Sequence, residues 1–561
     1  MAKHIRPIPF RAPYDLGQNF WDPSEGLYGV YDLWSFKGSG SVVSSGVGGG
    51  SLIYANVLIR KDADWFKEDQ PDGGYEPWPV TYKDLERHYE RVEHMMNAQK
   101  YPLNHPPYGS TYKTLAMQEA DRTLQLDDQS THRWMPLNLA VSFRSDPVSD
   151  PDHDDPANPP VVGGPIHEAY ANYHSVTLGR HMPRSTCRLC GECDLGCNYG
   201  SKNTLDYTYL TAAIHQQSYP AQIETLCEVK AIAPCNGRGY TVEFVRHDLR
   251  RAGTKCGTGT LPRERMTCDR LILSAGTYGT PFLLFRNRAA FPQLSPRLGS
   301  RFCVNGDLLG FILKSMERKN GQSVPRRLDP SFGPVITSAI RLGDTLDGQG
   351  DQGRGMYVED GGNPYLFSWV MELSGLTGYL RRTLKFLQLI AKYRLGLHND
   401  ANLSAEVADL LGPARHLISS LPMLPMGRDL PNGKLFLRDG FLDCDWTMKK
   451  SQEYYDRVRR VGKAIARALQ AEYLDNPSYT WNFHQVVTAH PLGGCPMALR
   501  KEEGVVDSYG EVFDYPAFYI ADGSVLPGPV GPNPSLTIAA LSDRFADHII
   551  AQHTGAINKG T

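Results

Sequence analysis

The residues best suited to chemistry lie near the end of the chain. Thr488-Ala-His-Pro-Leu-Gly-Gly-Cys495 is followed, 43 positions after His490, by Asn533 in Val530-Gly-Pro-Asn-Pro-Ser-Leu-Thr537. A histidine on a tight Pro/Gly turn can take a hydroxyl proton, because imidazole titrates near neutral pH. An asparagine ahead of Pro534 offers a donor and an acceptor that do not titrate. Ser535-Leu-Thr-Ile-Ala-Ala-Leu541 then reads as a helix with proline at its first position. Its opening turn leaves free N–H groups and a positive dipole end that favours negative charge on a bound ring. His484, six residues before His490, is the rival base, and its strand-like setting in Asn482-Phe-His-Gln485 suits a structural histidine better.

Two more segments have chemical potential. In Gly46-Val-Gly-Gly-Gly-Ser51, consecutive glycines let the backbone pass close to a flat ligand with positive φ. Gly46, Gly48, Gly49, Gly50 and Ser51 are therefore candidates to line a cofactor, with a surface loop as the plainer alternative. Leu52 to Leu58 follows with strand-like apolar character. Cys187, Cys190, Cys193 and Cys197 give C-x2-C-x2-C-x3-C, the spacing of a bacterial iron–sulfur run, with Asn198 in place of the usual proline. Zinc and free or paired thiols are the competing assignments. The other seven cysteines are scattered and suit a reducing compartment.

Together these motifs resemble the glucose-methanol-choline family of flavin alcohol oxidoreductases, and within it the cholesterol-oxidase-like branch. The resemblance runs from Gly46 to Asn56, through Cys187 to Leu205 and Leu273-Ser-Ala-Gly-Thr-Tyr-Gly-Thr-Pro281, to the C-terminal pair. It implies FAD as cofactor and His490 as the base that takes the substrate hydroxyl proton while hydride passes to the flavin. Asn533 would orient the alcohol and the flavin edge. By the same resemblance the backbone of Val229 meets adenine, though an ordinary core valine explains that residue equally. Ala275 and Gly276 approach the cofactor, Asp522 with Gly523 reaches the ribityl or phosphate side unless it is a plain turn aspartate, and Pro534 and Ser535 border the ring. The substrate would be a 3β-hydroxysterol or another bulky apolar alcohol, with oxygen or a different acceptor taking the electrons. A metal at the cysteine run would favour a dehydrogenase.

One departure stands out. Flavoproteins of this kind open with a strand, a G-x-G-x-x-G turn and a helix that hold the FAD pyrophosphate. Gly38-Ser-Gly-Ser-Val-Val43 imitates this only in part, so it is assigned no dinucleotide role. The chain begins where the first βαβ unit would have ended. A late gene start, a separately encoded N-terminal piece and a true loss of FAD binding all fit that observation, and the last would make the chain an inactive subunit or a binding protein.

The elements that must position these residues are of mixed type. Ala221–Ile232 and Tyr240–Val245 alternate with period two as hairpin strands do, and Cys268–Gly276 reads as a buried strand ending in small residues. The expected fold is α/β. A Rossmann-like FAD domain without its first βαβ unit occupies 1–75, 186–289 and 481–561. It is interleaved with a substrate domain of antiparallel sheet and helices at 76–185 and 290–480. Strands near Met426-Gly-Arg-Asp429 and Leu435-Phe-Leu437 suit a large apolar pocket. Tyr379–Leu395 reads as an amphipathic helix, either packed with a solvated face or resting on a membrane as a peripheral contact. A chain of 561 residues with net charge −2 and scattered basic residues gives no nucleic-acid signal. There is no apolar run near the ~20 residues of a membrane span and no secretory h-region, so the cytoplasm is the expected compartment.

Overall fold

The computed structural model describes residues 19–69, 74–126, 130–169, 172–175, 180–255, 257–363, 418–476 and 485–559. The rival histidine His484 and the helix read at 379–395 lie outside these residues. The fold is mixed α/β. Its largest sheet has six antiparallel strands in the order Glu472–Asp475, Gly310–Leu313, Leu421–Gly427, Met356–Asp360, Ser338–Leu342 and His132–Pro136. Met356–Asp360 lies inside this sheet and is buried at all five positions. It therefore lacks the polar/apolar alternation of a half-exposed strand. Helices Tyr112–Thr123 and Gln452–Ala468 pack on each other and against the sheet, and their apolar residues join a core built on Ile312, Ile340, Val358 and Met423.

Among the described residues parallel pairing occurs at isolated bridges and in two short stretches of strand. Leu271–Leu273 pairs with Phe518–Ile520, and Ser39–Ser44 lies between antiparallel Tyr31–Ser35 and parallel Val486–Thr488. Segments far apart in sequence thus meet beneath the C-terminal motifs. Leu271–Leu273 passes through Ser274-Ala-Gly276 directly into helix Gly276–Arg286. The C-terminal helix, Ser535–Lys559, packs against Tyr82–Met95. That partner is started by a capping box in which Thr81 and Asp84 bond each other's backbone N–H groups.

Three expectations change in detail. Leu52–Leu58 is not a strand. The glycines turn it into a short 3-10 helix at Gly49–Leu52, Asn56 has φ 69°, and only an isolated bridge, Val57 to Leu139, remains. The hairpin strand begins at Cys227 rather than Ala221 and runs to Pro234 opposite Tyr240–Arg246. The run Cys268–Gly276 splits, because Cys268 pairs with Tyr240 in one sheet while Leu271 pairs with Phe518 in another. No helix among the described residues is long and apolar enough to cross a membrane.

Candidate active site

His490 sits on a turn that its neighbours hold from several sides. Its N–H donates to Thr488 Oγ1 at 2.8 Å, Leu492 exchanges backbone bonds with Cys303, and the Gly493 N–H donates to the Gly523 carbonyl at 3.0 Å. Thr277 Oγ1 donates to the Pro491 carbonyl at 2.7 Å. The glycines are a steric requirement: Gly493 has φ 82°, and a Cβ there would lie 2.0 Å from the Arg301 carbonyl oxygen. The imidazole is 16 % exposed, with Nδ1 3.0 Å from both carboxylate oxygens of Asp307. Nε2 has no partner among the described residues, so it is the nitrogen available to a ligand.

Asn533 is buried, with Nδ2 3.5 Å from Glu359 Oε2. Its Oδ1 and Glu359 Oε1 are buried without hydrogen-bond partners. Burial pushes the Glu359 carboxyl well above the usual carboxylate range, an effect that the nearby Asp360 and Asp307 reinforce and the Asn533 amide opposes. Glu359, pushed toward its protonated form, thus contacts the Asn533 amide and lies within electrostatic range of Asp307, the carboxylate behind His490. Such a set can accept a proton from a hydroxyl and hold its oxygen by hydrogen bonds. Sequence reasoning placed His490 and Asn533 but missed Asp307 and Glu359. Asn305-Gly306 ahead of Asp307 is the dipeptide of a type I′ turn, and that local signal was available. Glu359 has no such signal in its fully buried strand.

The glycine segment lies under a second clamp. Ser51 Oγ donates to the Gly48 carbonyl at 2.7 Å and accepts from the Leu205 N–H at 2.9 Å. Lys202 Nζ reaches the carbonyls of Leu52, Tyr54 and Cys193 at 2.8, 3.1 and 2.7 Å, and Tyr54 OH donates to the Asn203 carbonyl. The Gly-Ser-Lys-Asn-Thr-Leu run thus holds Gly46–Tyr54 in place. A Cβ built at Gly49, Gly50 or Gly276 would meet nothing within 4 Å, so these backbones border open space. Asn56, at the end of the segment, is buried with both amide atoms unpartnered. Val57 beside it accepts a bond from Ser535 Oγ, at the start of the C-terminal helix.

Asp522 is buried and its carboxylate is given to protein donors. Oδ2 accepts from the Gly276 N–H at 2.9 Å and Thr280 Oγ1 at 2.6 Å, while Oδ1 accepts from the Ser524 N–H at 2.8 Å. Burial raises its pKa against these bonds. Its visible work is to tie the Ala275–Gly276 turn to Gly523. Val229 is no core residue: it lies at a register shift in an outer strand and is 39 % exposed.

Cys187, Cys190, Cys193 and Cys197 line one narrow cavity with Lys202 and Tyr199, and none is in a disulfide. Burial pushes Cys193 up to about 11, and it also raises Cys187, with the neighbouring thiols adding to the effect. Among the described residues no group of three or more His, Cys, Asp or Glu is arranged to hold a metal ion. The geometry alone assigns no metal to the run.

Comparison with known proteins places the arrangement. A GMC oxidoreductase family model matches residues 436–542, which include His490 and Asn533. Cholesterol oxidase of Mycobacterium tuberculosis (strain H37Rv) is 28 % identical, over 96 % of this chain and 83 % of its own. Cholesterol oxidase of Acinetobacter baumannii is 26 % identical, over 95 % and 86 %. Over residues 436–542 the chain matches the GMC oxidoreductase family, and over most of its length it is similar to cholesterol oxidases. Long-chain-alcohol oxidase FAO1 of Arabidopsis thaliana is 35 % identical over 65 % of this chain and 47 % of that protein. The solved structure of pyridoxine 4-oxidase from Mesorbium loti shares the fold, with TM-score 0.52 and 13 % identity over 96 % of this chain and 92 % of that one.

GMC oxidoreductases are FAD flavoproteins, and the residues present fit the group on its ring side. Open glycine backbone at Gly49, Gly50 and Gly276, unpartnered buried atoms on Asn56 and Asn533, and the N-terminal turn of the C-terminal helix all suit a flat, electron-poor ring that gains negative charge.

Proposed function

We propose that this chain oxidises the hydroxyl of a bulky apolar alcohol, with a 3β-hydroxysterol as first choice, to the ketone or aldehyde. The observation that supports this most directly is His490, with Nδ1 on the buried Asp307 and Nε2 free, close to the same carboxyl network as Asn533. His490 Nε2 accepts the hydroxyl proton, and Asn533 Nδ2 donates a hydrogen bond to the alcohol oxygen. Bound FAD supplies the hydride acceptor. Gly48, Gly49, Gly50, Ser51, Ala275, Gly276, Pro534 and Ser535 would hold that group. The names of the relatives support the substrate class, since they include cholesterol oxidases and long-chain-alcohol oxidases, and they support oxygen as acceptor.

The test is anaerobic mixing of purified, FAD-supplemented protein with cholesterol, a long-chain primary alcohol or glucose, following the flavin bands. Bleaching by cholesterol supports the sterol assignment, and bleaching by the long-chain alcohol alone moves it to that class. A bound flavin that none of the apolar alcohols bleaches would overturn the proposal. His490→Gln is expected to slow bleaching about 10²–10⁴-fold, the usual contribution of a positioned base. The same spectrum decides on iron–sulfur, which would add a broad visible absorbance that flavin extraction does not remove.

A second reading has its own support. Leu271–Leu273 is paired on one edge with Phe518–Ile520, yet Ile272 is 50 % exposed and Ser274 and Ala275 are exposed after it. Parallel strands are ordinarily covered on both faces. The chain would then need a further dinucleotide-binding piece to hold FAD and would be inactive alone. Colourless protein that becomes yellow only when such a piece is supplied would select this reading.

A further inference from the structure

A single tight turn between the two catalytic segments touches both of them. In Val304-Asn-Gly-Asp307 the Asp307 N–H donates to the Val304 carbonyl at 3.2 Å, and Asn305 and Gly306 have φ 53° and 66°. Positive φ at both central positions is what a type I′ turn requires. Four contacts immobilise the turn. The Val304 N–H donates to Asp429 Oδ2 at 3.1 Å, the Gly427 N–H donates to the Asn305 carbonyl at 3.0 Å, Tyr454 OH donates to the Gly306 carbonyl at 3.0 Å, and Cys303 pairs with Leu492. Gly306 has no room for a side chain, because a Cβ would lie 2.4 Å from Tyr454 OH.

From this fixed base two side chains reach in different directions. Asn305 Oδ1 accepts from the Gly531 N–H at 3.0 Å and its Nδ2 donates to the Pro532 carbonyl at 3.1 Å, holding the loop that carries Asn533. Asp307 accepts from Thr488 Oγ1 at 2.7 Å, the Ala489 N–H at 3.1 Å and His490 Nδ1 at 3.0 Å. Asn305 and Asp307 are both buried, so neither touches solvent.

We propose that Asp307 is a positioning residue that selects the tautomer of His490 protonated on Nδ1, and that the 304–307 turn sets the spacing between His490 and Asn533. A carboxylate only accepts, so the imidazole must present Nδ1–H to it, and Nε2 keeps its lone pair for the substrate hydroxyl. When Nε2 takes the hydroxyl proton, the carboxylate faces the resulting imidazolium without itself moving a proton. This rests on the assignment of His490 as the base.

The experiment combines spectroscopy with kinetics on the FAD-supplemented chain. Protein carrying ¹⁵N-labelled histidine is recorded at a pH where imidazole is neutral, and His490→Gln identifies the His490 signals by their loss. Nδ1 protonated and Nε2 bare in the unaltered chain supports the proposal, whereas the opposite tautomer overturns it without need of any Asp307 variant. Asp307→Asn offers an amide that can donate to Nδ1. It should shift the population toward the Nε2–H form and slow alcohol-dependent bleaching at least about 100-fold, as wrong-tautomer variants of carboxylate-supported histidines do. Asp307→Glu should restore the tautomer and part of the rate. Asp307→Asn with an unchanged tautomer and a rate within about threefold of the parent overturns the proposal. If the tautomer shifts as expected while His490→Gln bleaches as fast as the parent, Asp307's hold on the ring stands and the assignment of His490 as base falls.

Discussion

Glu359 shows how much of the site is decided by burial. Its carboxyl is buried on a strand of the six-stranded sheet, with the Asn533 amide as its hydrogen-bond partner among the described residues, and desolvation favours the protonated form. A carboxyl whose pKa is higher folded than unfolded keeps its full stabilising share below the unfolded value, near pH 4.3, and loses it as pH rises toward the folded value. Each pH unit over which only the folded state keeps the proton costs about 1.4 kcal/mol. Glu359→Gln keeps the shape and an acceptor for Asn533 and removes the titration. Its unfolding free energy should match the parent within about 0.5 kcal/mol at pH 4 and exceed it increasingly above pH 5, measured by denaturant unfolding across pH. Curves that stay parallel would refute the neutral carboxyl. His490 and Asn533 stood out as candidates because proline and glycine flank them and punctuate the chain. Glu359 and Asp307 did not, since each meets its partner, Asn533 or His490, more than a hundred positions away.

Elements built on glycine separate a structural from a ligand-lining role. Gly493 and Gly49 both have positive φ, at 82° and 55°, but their surroundings differ. A Cβ at Gly493 strikes the Arg301 backbone, whereas one at Gly49 enters open space. Gly493→Ala is therefore expected to lose more than about 2 kcal/mol of stability, combining left-handed strain with a backbone clash. Gly49→Ala should cost about 1 kcal/mol from φ alone and yet lose flavin, because its methyl group occupies the space against which the ring would lie. Thermal melts and flavin content of the two purified variants check this together. Equal flavin content in Gly49→Ala and parent would remove the glycine segment from the cofactor site. The same glycines explain the missed strand at Leu52–Leu58. Apolar periodicity there argued for an extended run, but the positive φ at Gly48, Gly49 and Asn56 bends the chain into a 3-10 turn whose carbonyls Lys202 and its neighbours then hold. Local pattern registers burial more reliably than it registers the backbone's path.

Across the whole molecule, the two kinds of sheet were legible to different degrees. The hairpin opposite Tyr240–Arg246 could be read from alternation, whereas the six-stranded sheet joins His132–Pro136 to strands 200 and more residues onward, pairings that no local period encodes. The short parallel pair carries the sharpest consequence for behaviour in solution. Among the described residues Leu271–Leu273 is paired along one edge only, and Ile272 within it is exposed. An apolar strand edge of this kind pairs readily with another chain. Ile272→Lys places a charge on that edge and removes no buried contact, so stability should stay within about 0.5 kcal/mol while self-association falls, as read by light scattering over a concentration series. If association is unchanged and the variant unfolds earlier, then Ile272 is covered in solution and the edge is closed. If association falls, a dinucleotide-binding piece supplied in trans should slow amide exchange at Ile272 and Leu273 in the parent and bring flavin with it, and protection without flavin would separate closure of the sheet from assembly of the catalytic site.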